Sequence, residues 1–146
     1  MPVRHYDWIA HFGRRTPDKP AVVDLASGRE FTYAQFDSGI CGLAAHLPDR
    51  LNIKRGDRVA VLALNTTDTL EVQFACGRIG AVFLPLNTRL TVPELQYIVG
   101  DAAPVLLAPA LWLRVRTLQS ATPDDLGLFL GPRRSTGDES GFTTEG

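Results

Sequence analysis

Polar residues placed between an apolar run and a helix start are natural ligand contacts in an α/β chain. One such step is Asn87-Thr88-Arg89, within LNTRL, between the apolar run AVFLPL and the helix-opening TVPEL. If AVFLPL is a buried strand, these three residues lie at its carboxyl end. Free backbone N–H groups and the dipole of the following helix favour an anion there. Arg89 can add a guanidinium fork suited to phosphate. The bland alternatives are a solvated arginine or one paired with Glu94.

Other residues with chemical potential lack the company they need. Ser135, Thr136, Gly137, Ser140 and Gly141 have the composition of a phosphate loop. They lack the closing Gly-Lys-Ser/Thr, and Asp138 and Glu139 would repel phosphate. His5, His11 and His46 are scattered, without metal-ligand spacing to another donor. Ser27 and Ser38 have no nucleophile-elbow context. Asp57 follows Gly56 and reads as a turn-fixing residue. Trp8, Phe83 and Trp112 read as core. Cys41 and Cys76 fall in apolar helical patterns and are expected to be buried, reduced thiols.

The elements that must position Arg89 are legible from periodicity. Asp7 caps a short helix carrying Trp8, Ile9 and Phe12, and TPDKP ends it. AVVDL and EFTY, joined by ASGR, form a hairpin. Thr32 and Gln35 make a capping box for a helix with Phe36, Ile40, Leu43, Ala44 and Leu47 on one stripe. Gly39 and Gly42 are expected to permit close backbone packing there, and Pro48 to close the helix. RGDRVAVLAL is a turn and a strand buried on both faces. Asp68 and Glu71 suggest a cap for a helix with Leu70, Phe74, Ala75 and Ile79 inward and Gly80 as its stop. AVFLPL is the next strand. Thr91 and Glu94 cap a helix with Leu95, Ile98 and Val99 inward, stopped at Gly100, and PVLLA is a third strand.

Strand, helix, strand, helix, strand over about 59–108 predicts an α/β fold: three layers, a mostly parallel sheet and right-handed crossovers. LWLRVRTLQ, 111–119, suggests one more helix, and 123–146 reads as a disordered tail with Phe142 its one large apolar residue after Gly131. The domain division is therefore 1–122 and 123–146. The 146 residues suffice for one core, with 45% hydrophobic residues and a net charge of −1. That balance supplies no basic field for nucleic acid or anionic lipid. The start, MPVRHYDWIAHFGRR, has no signal-like apolar core, and the longest apolar run, 103–113, is too short for a bilayer. A cytoplasmic protein is expected.

The succession of these pieces resembles the N-terminal region of the adenylate-forming, AMP-binding enzymes, the acyl-CoA synthetases in particular. The resemblance is carried by TPDKPAVVD, FTYAQFDSGICGLAAHL and GDRVAVLALNTTDTLEVQFACGRIGAVFLPLNTRLTVPELQYIVGDAAPVLL, from about Tyr6 to Ala108. It implies the leading part of an ATP-dependent acid–CoA ligase, which joins a carboxylate to AMP and then passes the acyl group to the thiol of CoA. In such an enzyme ATP, CoA and Mg2+ are the cofactors and a carboxylic acid the substrate. The family's Ser/Thr/Gly-rich phosphate loop, ribose-binding aspartate and catalytic lysine come later than the matched region and are absent here. FTTEG, 142–146, echoes one later motif out of order. The chain is accordingly expected to be inactive alone and to bind none of these ligands tightly, with no catalytic residue and no metal site. The resemblance implies one functional position: the arginine of the LNxRL step reaches CoA phosphates in some relatives, and Arg89 matches it. The alternative is a non-catalytic α/β module binding CoA, a nucleotide or a protein partner.

Overall fold

The computed structural model describes residues 6–109 and the pair 129–130. The hairpin and the first two helices come first in the chain. Helix α1 (Trp8–Arg15) is capped by Asp7, whose carboxylate accepts the Ala10 N–H at 2.9 Å. Strands β1 (Pro20–Val23) and β2 (Glu30–Thr32) pair antiparallel, as the turn residues predict. Thr32 then caps α2 (Tyr33–Leu51) with the expected reciprocal bonds to Gln35.

Three parallel strands follow. β3 (Arg58–Leu62) is central, β4 (Val82–Leu86) flanks it on one side, and β5 (Leu106–Pro109) on the other. A short antiparallel β6 (Phe129–Leu130) extends the sheet beyond β5. The connecting helices are α3 (Thr67–Ile79) and α4 (Val92–Ala102). The strand-helix-strand-helix-strand order and the mostly parallel sheet are thus as expected. β4 carries Pro85, which cannot donate to a ladder, and among the described residues β4 lies at the sheet edge.

The crossover from β3 to β4 and the crossover from β4 back past β3 to β5 run in opposite directions across the sheet. The right-handed rule then places α3 and α4 on opposite faces of the sheet. Register sorts the side chains: Val59 aligns with Phe83 and Leu106, and Val61 with Pro85 and Ala108. Val59, Val61, Leu106 and Ala108 join Phe36, Ile40 and Leu47 of α2 and Val72, Ala75 and Cys76 of α3 in the core. The opposite face carries Ala60, Leu62, Leu84, Leu86 and Leu107, under α4. No residue of α4 is fully buried, and Leu95, Ile98 and Val99 are half-buried.

Several local expectations are corrected. Pro48 does not close α2: its exposed ring is tolerated, and the helix runs on to Leu51. The stop is Asn52 at φ 52°, where a short polar side chain tolerates the left-handed region. Gly42 faces open space, so close packing does not explain it. The close approach is at Gly13, where a Cβ would sit 3.2 Å from Asp37 Cβ on α2. α3 is capped by Thr66, which accepts the Thr69 N–H at 3.3 Å, and not by Asp68 with Glu71. The cap lies two residues earlier than expected, so Asp68 falls in the first turn and Glu71 is buried. The inward face of α3 is centred on Val72, Ala75 and Cys76, which leaves Leu70 exposed. α4 passes Gly100 and ends with Ala103 at φ 41°. Gly80, by contrast, is the α3 stop, at φ 75°. Cys41 of α2 is exposed, with its Sγ accepting from Arg78 of α3, while Cys76 is buried as expected. The expected helix over 111–119 and the expected disordered tail, 123–146, lie outside the described residues.

Candidate functional site

The Asn87–Arg89 step lies at the carboxyl end of β4. Leu86 anchors it from below: it is 5% exposed and aligns with Leu62 of β3. Beyond Leu86 the chain turns polar, and Asn87, Thr88 and Arg89 are all exposed. The turn is internally bonded. Asn87 Oδ1 accepts the Arg89 N–H at 2.9 Å, and the Asn87 carbonyl accepts the Leu90 N–H at 3.2 Å.

The start of α4 carries the expected Thr91–Glu94 capping box. One Glu94 carboxylate oxygen accepts both the Thr91 N–H and the Thr91 hydroxyl, each at 2.7 Å. The Thr91 backbone N–H, then its hydroxyl, hold the Glu94 carboxyl below the usual glutamate range. The helix N-terminus therefore already has a negative group at its first turn. Among the described residues no ion pair engages Arg89, and its pairing with Glu94 is not formed. What the edge offers a ligand is an exposed guanidinium on a bonded turn. Such a group can take a phosphate by bidentate, charge-assisted hydrogen bonds.

The other arginine networks bind the fold to itself. Arg78 of α3 donates to Asp7 at 2.7 Å, to the Asp37 carboxylate and carbonyl, and to Cys41 Sγ at 2.9 Å. One guanidinium thereby joins the cap of α1, the middle of α2 and the end of α3. Arg29 reaches Asp24, Thr67 and Asp68, tying the hairpin to the start of α3. Sequence reading missed both arginines; the available signal was a charged residue at the end of an apolar helix stripe and another in a hairpin turn. Asp57 is a turn-fixing residue as expected, its carboxylate accepting the Lys54 N–H at 2.7 Å. Among the described residues no group of His, Cys, Asp and Glu is arranged to hold a metal ion. His5, Trp112 and the Ser/Thr/Gly stretch over 135–141 lie outside the described residues.

The family profile for "AMP-binding enzyme" matches residues 9–126. The chain belongs to the AMP-binding enzyme family. It is 40% identical over 100 residues to a feruloyl-CoA synthase of Amycolatopsis, covering 68% of this chain and 20% of that protein. To the long-chain-fatty-acid–CoA ligase FadD13 of Mycobacterium tuberculosis it is 33% identical over 87 residues, 60% of this chain and 17% of that one. Among solved structures, VinN in complex with L-aspartate matches with a TM-score of 0.66 and 27% identity, over 78% of this chain and 32% of that chain. The N-terminal subdomain of Klebsiella oxytoca NpsA, in complex with 3-hydroxybenzoyl-AMSN, shares the fold: TM-score 0.64, 24% identity, 69% and 25% coverage. The fold is thus that of part of an adenylate-forming N-terminal subdomain, and the chain spans about a fifth of the length of the curated relatives it matches.

Proposed function

We propose that this chain is the leading part of the N-terminal domain of an ATP-dependent acid–CoA ligase, and that Arg89 is its contact to a CoA phosphate. The observation that carries the proposal is the geometry of LNTRL: an exposed arginine, outside any ion pair among the described residues, at the carboxyl edge of a parallel strand. Ligands collect at that edge in open α/β sheets. The family membership and the CoA ligases among the relatives supply the ligand class.

On this reading the role of the chain is positioning, without bond-making chemistry. β3 holds β4 in register, Leu86 fixes the base of the turn, and Arg89 presents a permanent positive charge. ATP, Mg2+ and the carboxylic acid belong to the parts of the enzyme that come later in the family's order. The chain alone is then inactive and binds CoA weakly. We place it in the cytosol, where two free thiols remain reduced.

Two measurements test the proposal. The purified chain mixed with ATP, CoA, Mg2+ and a panel of fatty and aromatic acids should release no pyrophosphate above background; release would overturn its inactivity. In a ligase of full length carrying this segment, Arg89→Ala should raise KM for CoA by about tenfold, the loss of one charge-assisted contact, with adenylate formation unchanged. An unaltered KM removes Arg89 from the CoA site.

A further inference from the structure

We infer that Asn87 is a positioning residue for Arg89, and that Asn87 and Glu94 together leave the guanidinium as the anion-recognising group of this edge. The inference rests on the phosphate reading of Arg89 given above. Asn87 engages two successive residues: its Oδ1 accepts the Arg89 N–H at 2.9 Å and its carbonyl accepts the Leu90 N–H at 3.2 Å. An Asn side chain bonded two residues on forms an Asx turn, which fixes the backbone where a plain loop would sample several conformations. Here the fixed residue is the arginine itself. Its Cα is held on one side by Asn87, which follows the buried Leu86, and on the other by the capped start of α4.

Glu94 supplies the second half. A helix N-terminus ordinarily offers an anion its free N–H groups and dipole. In α4 the Glu94 carboxylate accepts from Thr91 N–H and Oγ1, each at 2.7 Å, and is held ionised by those bonds. A phosphate approaching that first turn meets like charge. Recognition is thereby shifted onto Arg89, whose long side chain loses rotamer freedom on binding. Holding its backbone in advance reduces the ordering still required.

The test uses the isotopically labelled full chain titrated with CoA, followed at the Arg89 side-chain Nε–H and main-chain N–H. In the wild type the Nε–H signal should move saturably. Asn87→Ala should weaken CoA binding about three- to tenfold and speed Arg89 amide exchange about fivefold or more, the scale of one lost hydrogen bond. Signals of Val59 and Leu106 in the core should stay in place. Asn87→Ser, whose hydroxyl can accept the same N–H, should recover part of both effects. Wild-type CoA affinity in Asn87→Ala overturns the inference, as does unchanged Arg89 exchange. If the wild-type Nε–H does not respond to CoA, the phosphate reading itself fails. The exchange comparison then still shows whether Asn87 holds the turn, so the two failures are distinct.

Discussion

At the scale of the residue, similar side chains have opposite roles according to what surrounds them. Arg78 is engaged by Asp7, Asp37 and Cys41, and its side chain is 17% exposed; Arg89 stands in solvent outside any ion pair among the described residues. The first is a strut between helices and the second is available to a ligand. The two cysteines divide in the same way. Burial pushes the Cys76 thiol up to about 12, so it is neutral and inaccessible at physiological pH. Cys41 is exposed. Thiol labelling of the native chain at neutral pH should therefore modify one cysteine, Cys41, and the second only after denaturant is added. Two rapidly modified thiols would contradict the packing of α3. Sequence periodicity placed both cysteines inside, because Cys41 follows the buried Ile40 and the α2 stripe is narrower than its apolar composition suggests. Residue identity alone does not report which side of a helix a small side chain occupies.

At the scale of the element, starts were more legible than stops. Asp7, Thr32 and Thr91 begin their helices where their side chains say they should, since a cap is a local hydrogen-bonded feature. Stops depend on whether the chain gains by continuing. α2 runs past Pro48 because Leu51 still has core to meet, at 8% exposure. α4 passes Gly100 because a glycine on an exposed face costs only about 1 kcal/mol relative to alanine. Gly80 is a different case, since α3 ends there with φ at 75° and its N–H bonded back to Cys76 and Gly77 carbonyls. A Cβ at this position would also lie 3.0 Å from Arg55 Cγ. Gly80→Ala should destabilise the fold by about 1–2 kcal/mol, the cost of placing an L-residue in the left-handed region. Chemical denaturation would measure it as a lower midpoint at unchanged slope. Gly42→Ala, at an open helical position, should instead be neutral to stabilising. Equal effects of the two substitutions would remove the conformational argument. The turn carrying Arg89 and the Thr91–Glu94 cap of α4 were legible in the sequence, but the Asx bond from Asn87 required coordinates.

At the scale of the whole molecule, the two faces of the sheet are unequally covered among the described residues. The α2/α3 face contains Val59, Val61, Leu106 and Ala108, all at 8% exposure or less. On the α4 face Ala60 and Leu86 are buried but Leu62, Leu84 and Leu107 are half-buried, and Val92 and Tyr97 of α4 are 66% and 77% exposed. Sequence reading predicted strands buried on both faces, because their apolar runs do not alternate; the central β3 meets that expectation, with Val59, Ala60 and Val61 all buried, while the flanking β4 does so only in part. The stability of such a unit is uneven, since opening a segment costs little where few buried contacts hold it. Amide hydrogen exchange should show it directly. Amides of α4 should exchange through local opening, at least about tenfold faster than those of α3 between Val72 and Cys76, which open with the core. Equal protection would mean that α4 is held as firmly as α3. The carboxyl edge that presents Arg89 lies between these regimes: β4 is registered to the rigid β3, while the helix after it is the lightly held one. A phosphate bound at Arg89 would then slow exchange in the first turn of α4 and leave α3 unchanged. That separates ordering of the site from a general tightening of the fold.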